Sequence, residues 1–338
     1  MGFKELISVI DKDKKLYIQM HRPPDPDCLA CASVLSDMLQ SEDIEATIVY
    51  TGPISKPETM ELIGNLGIKL IRLDSDKNKG LVCDDDQIIV VDCQKENSNV
   101  APLPGKYIAC IDHHPELKEK EYLYSDIRPD YGACSSIIYE YASEYGYEIS
   151  PEQAALLIYG IRIDTDELSR RKYLKDIDVF AALYKIANLE ILSSIGRNCI
   201  RPEDISTTIV AYENLTIKNG IAYSFAGDDK AKESLAELAD KLISLADVSF
   251  VVVYSKHFNG YTFSIRSQTY TMNASKIAKD AFSKVKGDGG GHKYMAGGVI
   301  PKVAFMDLSG SKAIMERIID LIEEAIDTVC SEPEADSA

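Results

Sequence analysis

Four of the five histidines in this 338-residue sequence lie in three short clusters beside acids or glycines. The first cluster is His21-Arg-Pro-Pro-Asp25-Pro-Asp27. Two carboxylates in an extended, proline-rich loop can point to different sides, toward two neighbouring cations. An imidazole beside them suits a softer divalent ion such as Mn²⁺ better than an all-oxygen Mg²⁺ site. The competing reading is a tight turn with Asp27 as a helix N-cap. Asp92 closes the apolar run QIIVVDC, and Asp112-His113-His114 closes YIACID. In the adjacent pair, one histidine can bind metal while the other meets a substrate; the plainer reading is a capped loop with Asp112 orienting an imidazole. Asp164 ends the apolar run YGIRID, where a solvated helix end is the ordinary explanation. Together, His21, Asp25, Asp27, Asp92 and His113 put more acid on one face than a cleft tolerates without cations.

A further cluster is Asp288-Gly289-Gly290-Gly291-His292, preceded by Ser264-Ile265-Arg266-Ser267. Glycines before a histidine let backbone N–H groups approach an anion, and Arg266 can fork onto a phosphate. A flexible connector is the alternative.

The elements that must carry these residues follow a regular pattern. Residues 15–20 read as a buried strand, with a helix from about 28 to 40 and a strand at 45–50. A helix near 57–66 and a strand near 68–72 follow, then the runs at 87–93 and 107–112. Strands alternating with helices predict βαβ units and a mostly parallel sheet. His21, Asp92 and the Asp112–His114 group then fall at the carboxyl ends of strands, where ligands of open α/β sheets bind. From about 132 to 198 the pattern is helical, and a linker is expected near 199–206. Asn219-Gly220 and Asn259-Gly260 mark hairpin turns, helices are expected at about 230–246 and 309–330, and the runs at 249–255 and 260–267 read as a strand pair. The expected fold is α/β: a domain over 1–198 with a mostly parallel sheet flanked by helices, a smaller α/β domain over 207–330, and a disordered acidic tail over 331–338.

The formal net charge of −17 argues against a grip on long duplex nucleic acid, which needs a basic surface. The eight cysteines are scattered. Cys28 and Cys31 alone have C-x-x-C spacing, with no complementary pair, so a zinc site there is not expected; the thiols read as small buried side chains of a reducing compartment. No apolar run approaches the ~20 residues that span a bilayer, and the N-terminus lacks a signal-type apolar region. A cytoplasmic protein without a membrane partner is expected.

HRPPDPD, VVDC, IDHH, GIRIDTDE and GGGHKYMAGG, in this order, resemble the motifs of the DHH–DHHA1 phosphoesterase superfamily, and specifically its RecJ-like nanoRNase/pAp-phosphatase branch. The resemblance spans almost the whole chain. It implies a DHH catalytic domain and a DHHA1 substrate-binding domain. Two divalent ions are implied, Mn²⁺ with Mg²⁺ or Co²⁺ as alternatives: His21 and Asp25 on one, Asp27, His113 and Asp164 on the other, and Asp92 bridging. Asp112 would support the histidine pair and His114 would meet the scissile phosphate. Arg266, Ser267, Gly289, Gly290, Gly291 and His292 would hold the substrate, in a cleft between the domains. The implied partner is a short oligonucleotide or nucleotide, with a homodimer as a further expectation. The implied activity is hydrolysis of short oligonucleotides and pAp. Alternatives are a cyclic-dinucleotide or pApA phosphodiesterase, an exopolyphosphatase or pyrophosphatase, and a nucleotide-binding regulatory protein. The family commonly has DTG in its fourth motif, whereas here Asp166, Glu167 and Leu168 follow Thr165; this departure bears on substrate choice. Cys28 also stands where a small residue is usual.

Overall fold

The computed structural model describes residues 2–331 except 55, 96, 116–121, 170–173, 196–201 and 270, with the side chains of 202, 203 and 233 also left aside. The described chain divides into two compact units, residues 1–199 and 200–338. The expected tail beyond residue 331 and the first part of the expected linker lie outside the described residues.

In the first unit the elements are α1 (Phe3–Ser8), β1 (Leu16–Gln19), α2 (Pro26–Gln40), β2 (Ala46–Tyr50), α3 (Pro57–Leu66), β3 (Ile71–Arg72), β4 (Gln87–Val91), β5 (Lys106–Asp112), β6 (Tyr124–Ile127), α4 (Cys134–Tyr145), α5 (Pro151–Asp164), α6 (Leu174–Tyr184) and α7 (Leu189–Ser194). The strands form one sheet in the order β3-β2-β1-β4-β5-β6, and every pairing among the described residues is parallel. β1, β4 and β5 are central and buried nearly throughout, which explains their continuous apolar runs. Alternation along them splits the core. Leu16, Ile18, Ile89 and Val91 pack under α2, α4 and α5. Tyr17, Ile88 and Val90 face the other side, covered by Leu73, Val82 and Val100 from loops. β6, with the polar sequence YSDI, and the short α1 give too little periodic signal to be read from sequence.

In the second unit the elements are α8 (Pro202–Glu213), β7 (Leu215–Lys218), β8 (Ile221–Asp228), α9 (Lys232–Leu242), β9 (Phe250–His257), β10 (Gly260–Ser267), α10 (Ala274–Ser283), β11 (Asp288–Gly291), β12 (Met295–Pro301), the 3₁₀ turn Lys302–Phe305 and α11 (Ser311–Ser331). Residues 202–206, expected within a linker, open α8; Pro202 is at its first position, where a missing N–H costs nothing. The sheet runs β11-β12-β10-β9-β8-β7. β8 and β9 are parallel, and the other described pairs are antiparallel. Asn219-Gly220 sits between β7 and β8, and Asn259-Gly260 stands where β9 turns into β10, with Gly260 opening that strand. α10 and α11 cover one face of the sheet, and α9 covers the other.

The triple glycine is not the loop the sequence suggests. Gly289, Gly290 and Gly291 form the edge strand β11, paired with β12. The reason is steric. A Cβ on Gly289 would stand 2.7 Å from the Ala278 carbonyl oxygen, and one on Gly298 would stand 2.4 Å from the Asp288 oxygen and 2.6 Å from the Phe282 ring. Glycine here lets two strands close on α10. Gly298→Ala is therefore expected to cost about 1–3 kcal/mol through overpacking, read as a lower midpoint of urea unfolding. No helix among the described residues is long and apolar enough to cross a membrane.

Candidate functional site

The capping turn that opens α2 sets the first part of the site. Its N-cap is Asp25 rather than Asp27, because Pro26 takes the first helical position. Asp25 Oδ1 accepts the amide hydrogens of Asp27 and Cys28, each at 3.1 Å. Asp27 is thereby drawn into the first turn, where it is fully buried. There its two oxygens accept the Cys134 N–H at 2.7 Å and the Ser135 N–H at 3.0 Å, at the start of α4. Gly160 of α5 makes room for this carboxylate: a Cβ at that position would lie 2.7 Å from Asp27 Oδ1.

His21 follows β1, Asp92 follows β4 and His113 follows β5. Because these strands are neighbours, the three residues converge. His21 Nε2 lies 3.5 Å from Asp25 Oδ1 and 3.4 Å from Asp92 Oδ2. His113 Nε2 lies 3.2 Å from Asp92 Oδ1 and 3.2 Å from Asp164 Oδ2, at the end of α5. Asp92 adopts φ +59°, a left-handed conformation that non-glycine residues rarely take outside turns and functional sites.

Asp112 is fully buried and organises the histidine pair. Its Oδ1 accepts the His113 N–H at 2.9 Å and contacts His114 Nδ1 at 2.8 Å, while Oδ2 accepts from Gln94 at 2.8 Å. His113 Nδ1 faces the Tyr131 carbonyl at 3.3 Å. A proton on Nδ1 would serve that contact and turn the Nε2 lone pair toward Asp92 and Asp164. The turn over residues 131–136 is itself anchored by Asp176, which is fully buried. Asp176 accepts the Gly132 N–H at 2.8 Å and the Ser136 hydroxyl at 2.5 Å. Sequence reasoning missed Asp176, Gly160 and the two α4 amides. Their signals, a lone acid, a glycine and backbone groups, are common everywhere.

Two overlapping groups of four donors result, His21, Asp25, Cys28 and Asp92, and Asp27, Asp92, His113 and Asp164, with a smaller third group of Asp92, His113 and His114; in each the ligand atoms lie within 4.8 Å of one another. Their electrostatics show the strain of crowded acids. Burial pushes the Asp27 carboxyl well above the ordinary carboxylate range, and Asp92 and Asp164 push it further. Burial, with Asp25 and Asp92, drives Asp164 up to about 6 despite His113. Burial opposes a charge on His21, yet Cys28, Asp25 and Asp92 outweigh it and raise its pKa well above the histidine range. Burial likewise opposes a charge on His113, and Asp164 and Asp92 outweigh it. Asp92 is the reverse case: burial raises it, but His113 and His21 bring it below its usual value. The buried atoms Asp92 Oδ1, His113 Nε2 and His21 Nδ1 find no hydrogen bond, a costly state that a cation relieves at Asp92 Oδ1 and His113 Nε2. The imidazole and carboxylate donor set fits a divalent ion of the Mn²⁺ to Zn²⁺ range.

In the second unit, Arg266, Gly289, Gly290, Gly291 and His292 line one open groove of about 670 Å³, with Lys232 of α9. Arg266 is held by Asp240, with Nε–Oδ1 at 2.5 Å, and by Ser264 Oγ at 3.2 Å. As an edge strand, β11 turns part of its amide groups away from its partner. Ser267 does not join the groove: alternate residues of a strand face opposite sides, and its hydroxyl donates to the Thr269 carbonyl.

The fold and these two sets of residues have relatives. Residues 15–161 match the DHH family, N-terminal domain, and residues 218–328 match the DHHA1 domain. The chain belongs to the family that carries these two domains, DHH and DHHA1. An uncharacterized protein of Methanocaldococcus jannaschii is 31% identical over 320 residues, covering 94% of this chain and 63% of that protein. A "Probable manganese-dependent inorganic pyrophosphatase" of Staphylococcus saprophyticus is 29% identical over 187 residues, covering 53% of this chain and 57% of that protein. The chain thus spans less than two thirds of these relatives' length. The crystal structure of an exopolyphosphatase-related protein from Bacteroides fragilis superimposes with a TM-score of 0.69 at 19% identity, covering 93% of this chain and 92% of that one; the likeness is one of fold.

Proposed function

We propose that this chain is a two-metal phosphoesterase that hydrolyses phosphoester bonds of short oligonucleotides and pAp-like nucleotides, with Mn²⁺ as its main cofactor. The observation that carries the reading is Asp92, a buried carboxylate shared by two donor groups. His21, Asp25 and Asp92 would hold one ion; Asp27, Asp92, His113 and Asp164 would hold the other. When bound, such a pair supplies Lewis acidity and a water of lowered pKa beside the scissile phosphate.

The chain's own residues do the rest. The capping turn of α2 and the amides of α4 fix Asp25 and Asp27 before substrate arrives. Asp112 engages His114 Nδ1 and leaves Nε2, on a half-exposed ring, for a phosphate oxygen. The Asp112 hydrogen bond also raises the His114 pKa, so the ring can present a proton at Nε2 to developing negative charge. Arg266, Lys232, His292 and the β11 amides offer a donor-rich groove, with Asp288 also on its wall, for the nucleotide part of the substrate. A groove of this size supports a substrate larger than pyrophosphate. The same reading has the enzyme cytoplasmic, and includes a homodimer.

A panel of pAp, pApA, short RNA, short DNA, pyrophosphate and polyphosphate, each assayed with Mn²⁺, tests the reading. Turnover of pAp and of RNA a few residues long is expected. Turnover confined to pyrophosphate would replace this reading by the second one, a pyrophosphatase, which the 29% identity to the staphylococcal protein favours. Binding of nucleotides without any turnover would make the chain a nucleotide-binding regulator.

A further inference from the structure

One buried nucleophile inside the cluster has no part in the scheme above. Cys28 lies in the first turn of α2, and its side chain is fully buried. Its Sγ belongs to the group of ligand atoms formed with His21, Asp25 and Asp92, all within 4.8 Å of one another. The capping turn fixes its direction: the Asp25 N–H donates to Sγ at 3.2 Å, and the Cys28 S–H donates to the Asp25 carbonyl oxygen at 3.3 Å, a bond that coordination would replace. Cys31, its C-x-x-C companion, differs. It lies one helical turn further on, with Sγ 3.9 Å from Asp27 Oδ1 and from Ser135 Oγ, and it enters neither donor group.

Without the thiol, the first group offers one imidazole and two carboxylates. One carboxylate is shared with the second group, and Asp25 Oδ1 already accepts two backbone hydrogens. The second group has four donors of its own kind, one imidazole and three carboxylates. Structural Zn²⁺ sites use four protein ligands and catalytic ones three plus a water, and four such atoms stand roughly 3.5 Å apart around the ion. The Cys28 group lies within 4.8 Å and must contract to reach that.

We infer that Cys28 Sγ is a fourth ligand of the cation held by His21, Asp25 and Asp92, so that the two metal positions differ in kind. The inference rests on the proposed metal site. Coordination replaces the S–H bond by an S–metal bond, and the proton leaves to water. A sulfur donor moves the first position toward Zn²⁺, Co²⁺ or Fe²⁺, while the oxygen-rich second position stays suited to Mn²⁺ or Mg²⁺. The chain then sorts two different ions rather than binding a matched pair.

The full chain loaded with Co²⁺ reports on this directly. Visible ligand-field absorption shows that the ion is bound, and a thiolate-to-cobalt charge-transfer band in the near ultraviolet shows sulfur in its shell. The wild type and Cys31→Ser are expected to show both. Cys28→Ser and Cys28→Ala are expected to keep the ligand-field bands, lose the charge-transfer band and bind Zn²⁺ at least tenfold more weakly, with Mn²⁺ binding at the second position little changed. A charge-transfer band that survives in both Cys28 variants overturns the assignment. So does wild-type protein that binds Co²⁺ without the band, a result that needs no variant to fold and leaves the metal site standing. Absence of any bound Co²⁺ overturns the metal site, and this ligand with it.

Discussion

Asp92→Asn lowers turnover by on the order of 1,000-fold or more while the chain still unfolds in one cooperative transition per unit. The size follows from what a shared carboxylate does. Both donor groups lose a charge at once, and each bound cation contributes several kcal/mol of transition-state stabilisation, with about 1.4 kcal/mol per factor of ten. The fold survives because of the backbone. Asp92 sits at φ +59°, a region that asparagine, with glycine, tolerates best among the residue types. Asp92→Ala removes the same charge but adds a left-handed penalty of about 1–2 kcal/mol. The pair of variants therefore separates chemistry from stability. Turnover with Mn²⁺, a Mn²⁺ titration and thermal unfolding of both variants provide the readout. Near-wild-type turnover in Asp92→Asn would remove the site from consideration.

Gly160→Ala is the second substitution with a large expected effect, although it touches no titratable group. In an exposed helix alanine would gain about 1 kcal/mol over glycine. Here its methyl group would stand 2.4 Å from Ser135 Oγ, 2.7 Å from Asp27 Oδ1 and 3.0 Å from Asp27 Cα. Two of these neighbours are fixed. The Asp27 backbone belongs to the capping turn of α2, and its carboxylate is held by two α4 amides. Overpacking of about 1–3 kcal/mol outweighs the helix gain. Relief requires α5 to move away from α2, and Asp164 at the end of α5 moves with it. A displacement near 1 Å in a catalytic constellation costs roughly 100-fold in rate. The expected result is a lower thermal midpoint, Mn²⁺ affinity at least tenfold weaker, and turnover down by about that factor of 100. Unchanged Mn²⁺ affinity would show that Gly160 has no influence on the donor group.

Much of this site can be read in the chain because its parts are local. A charged residue that closes a run of Ile and Val announces itself, as His21, Asp92 and Asp112–His114 do, and parallel strands bring such ends to one rim. What chain order does not contain is lateral order. That β4 inserts beside β1, with β2 and β3 outside it, is settled by the burial of Ile88–Val91 on both faces, a property of the assembled sheet. Supporting contacts were hidden for the same reason. Asp176 lies 44 residues from Gly132, whose amide it holds, and Gly160 is one glycine among 20. The glycine triplet misled in another way: its composition describes a flexible loop, while the crowding of Phe282 and Ala278 makes it a strand. Ser267 is next to Arg266 in sequence, yet in a strand the next residue faces the other way.

The turn over residues 131–136 has one last implication. A single buried acid, Asp176, braces it, and the brace reaches His113 through the Tyr131 carbonyl and Asp27 through the Cys134 and Ser135 amides. Ligands from two distant stretches of sequence are thus registered to each other by protein contacts alone. Loss of this one brace would therefore loosen donors from both stretches together.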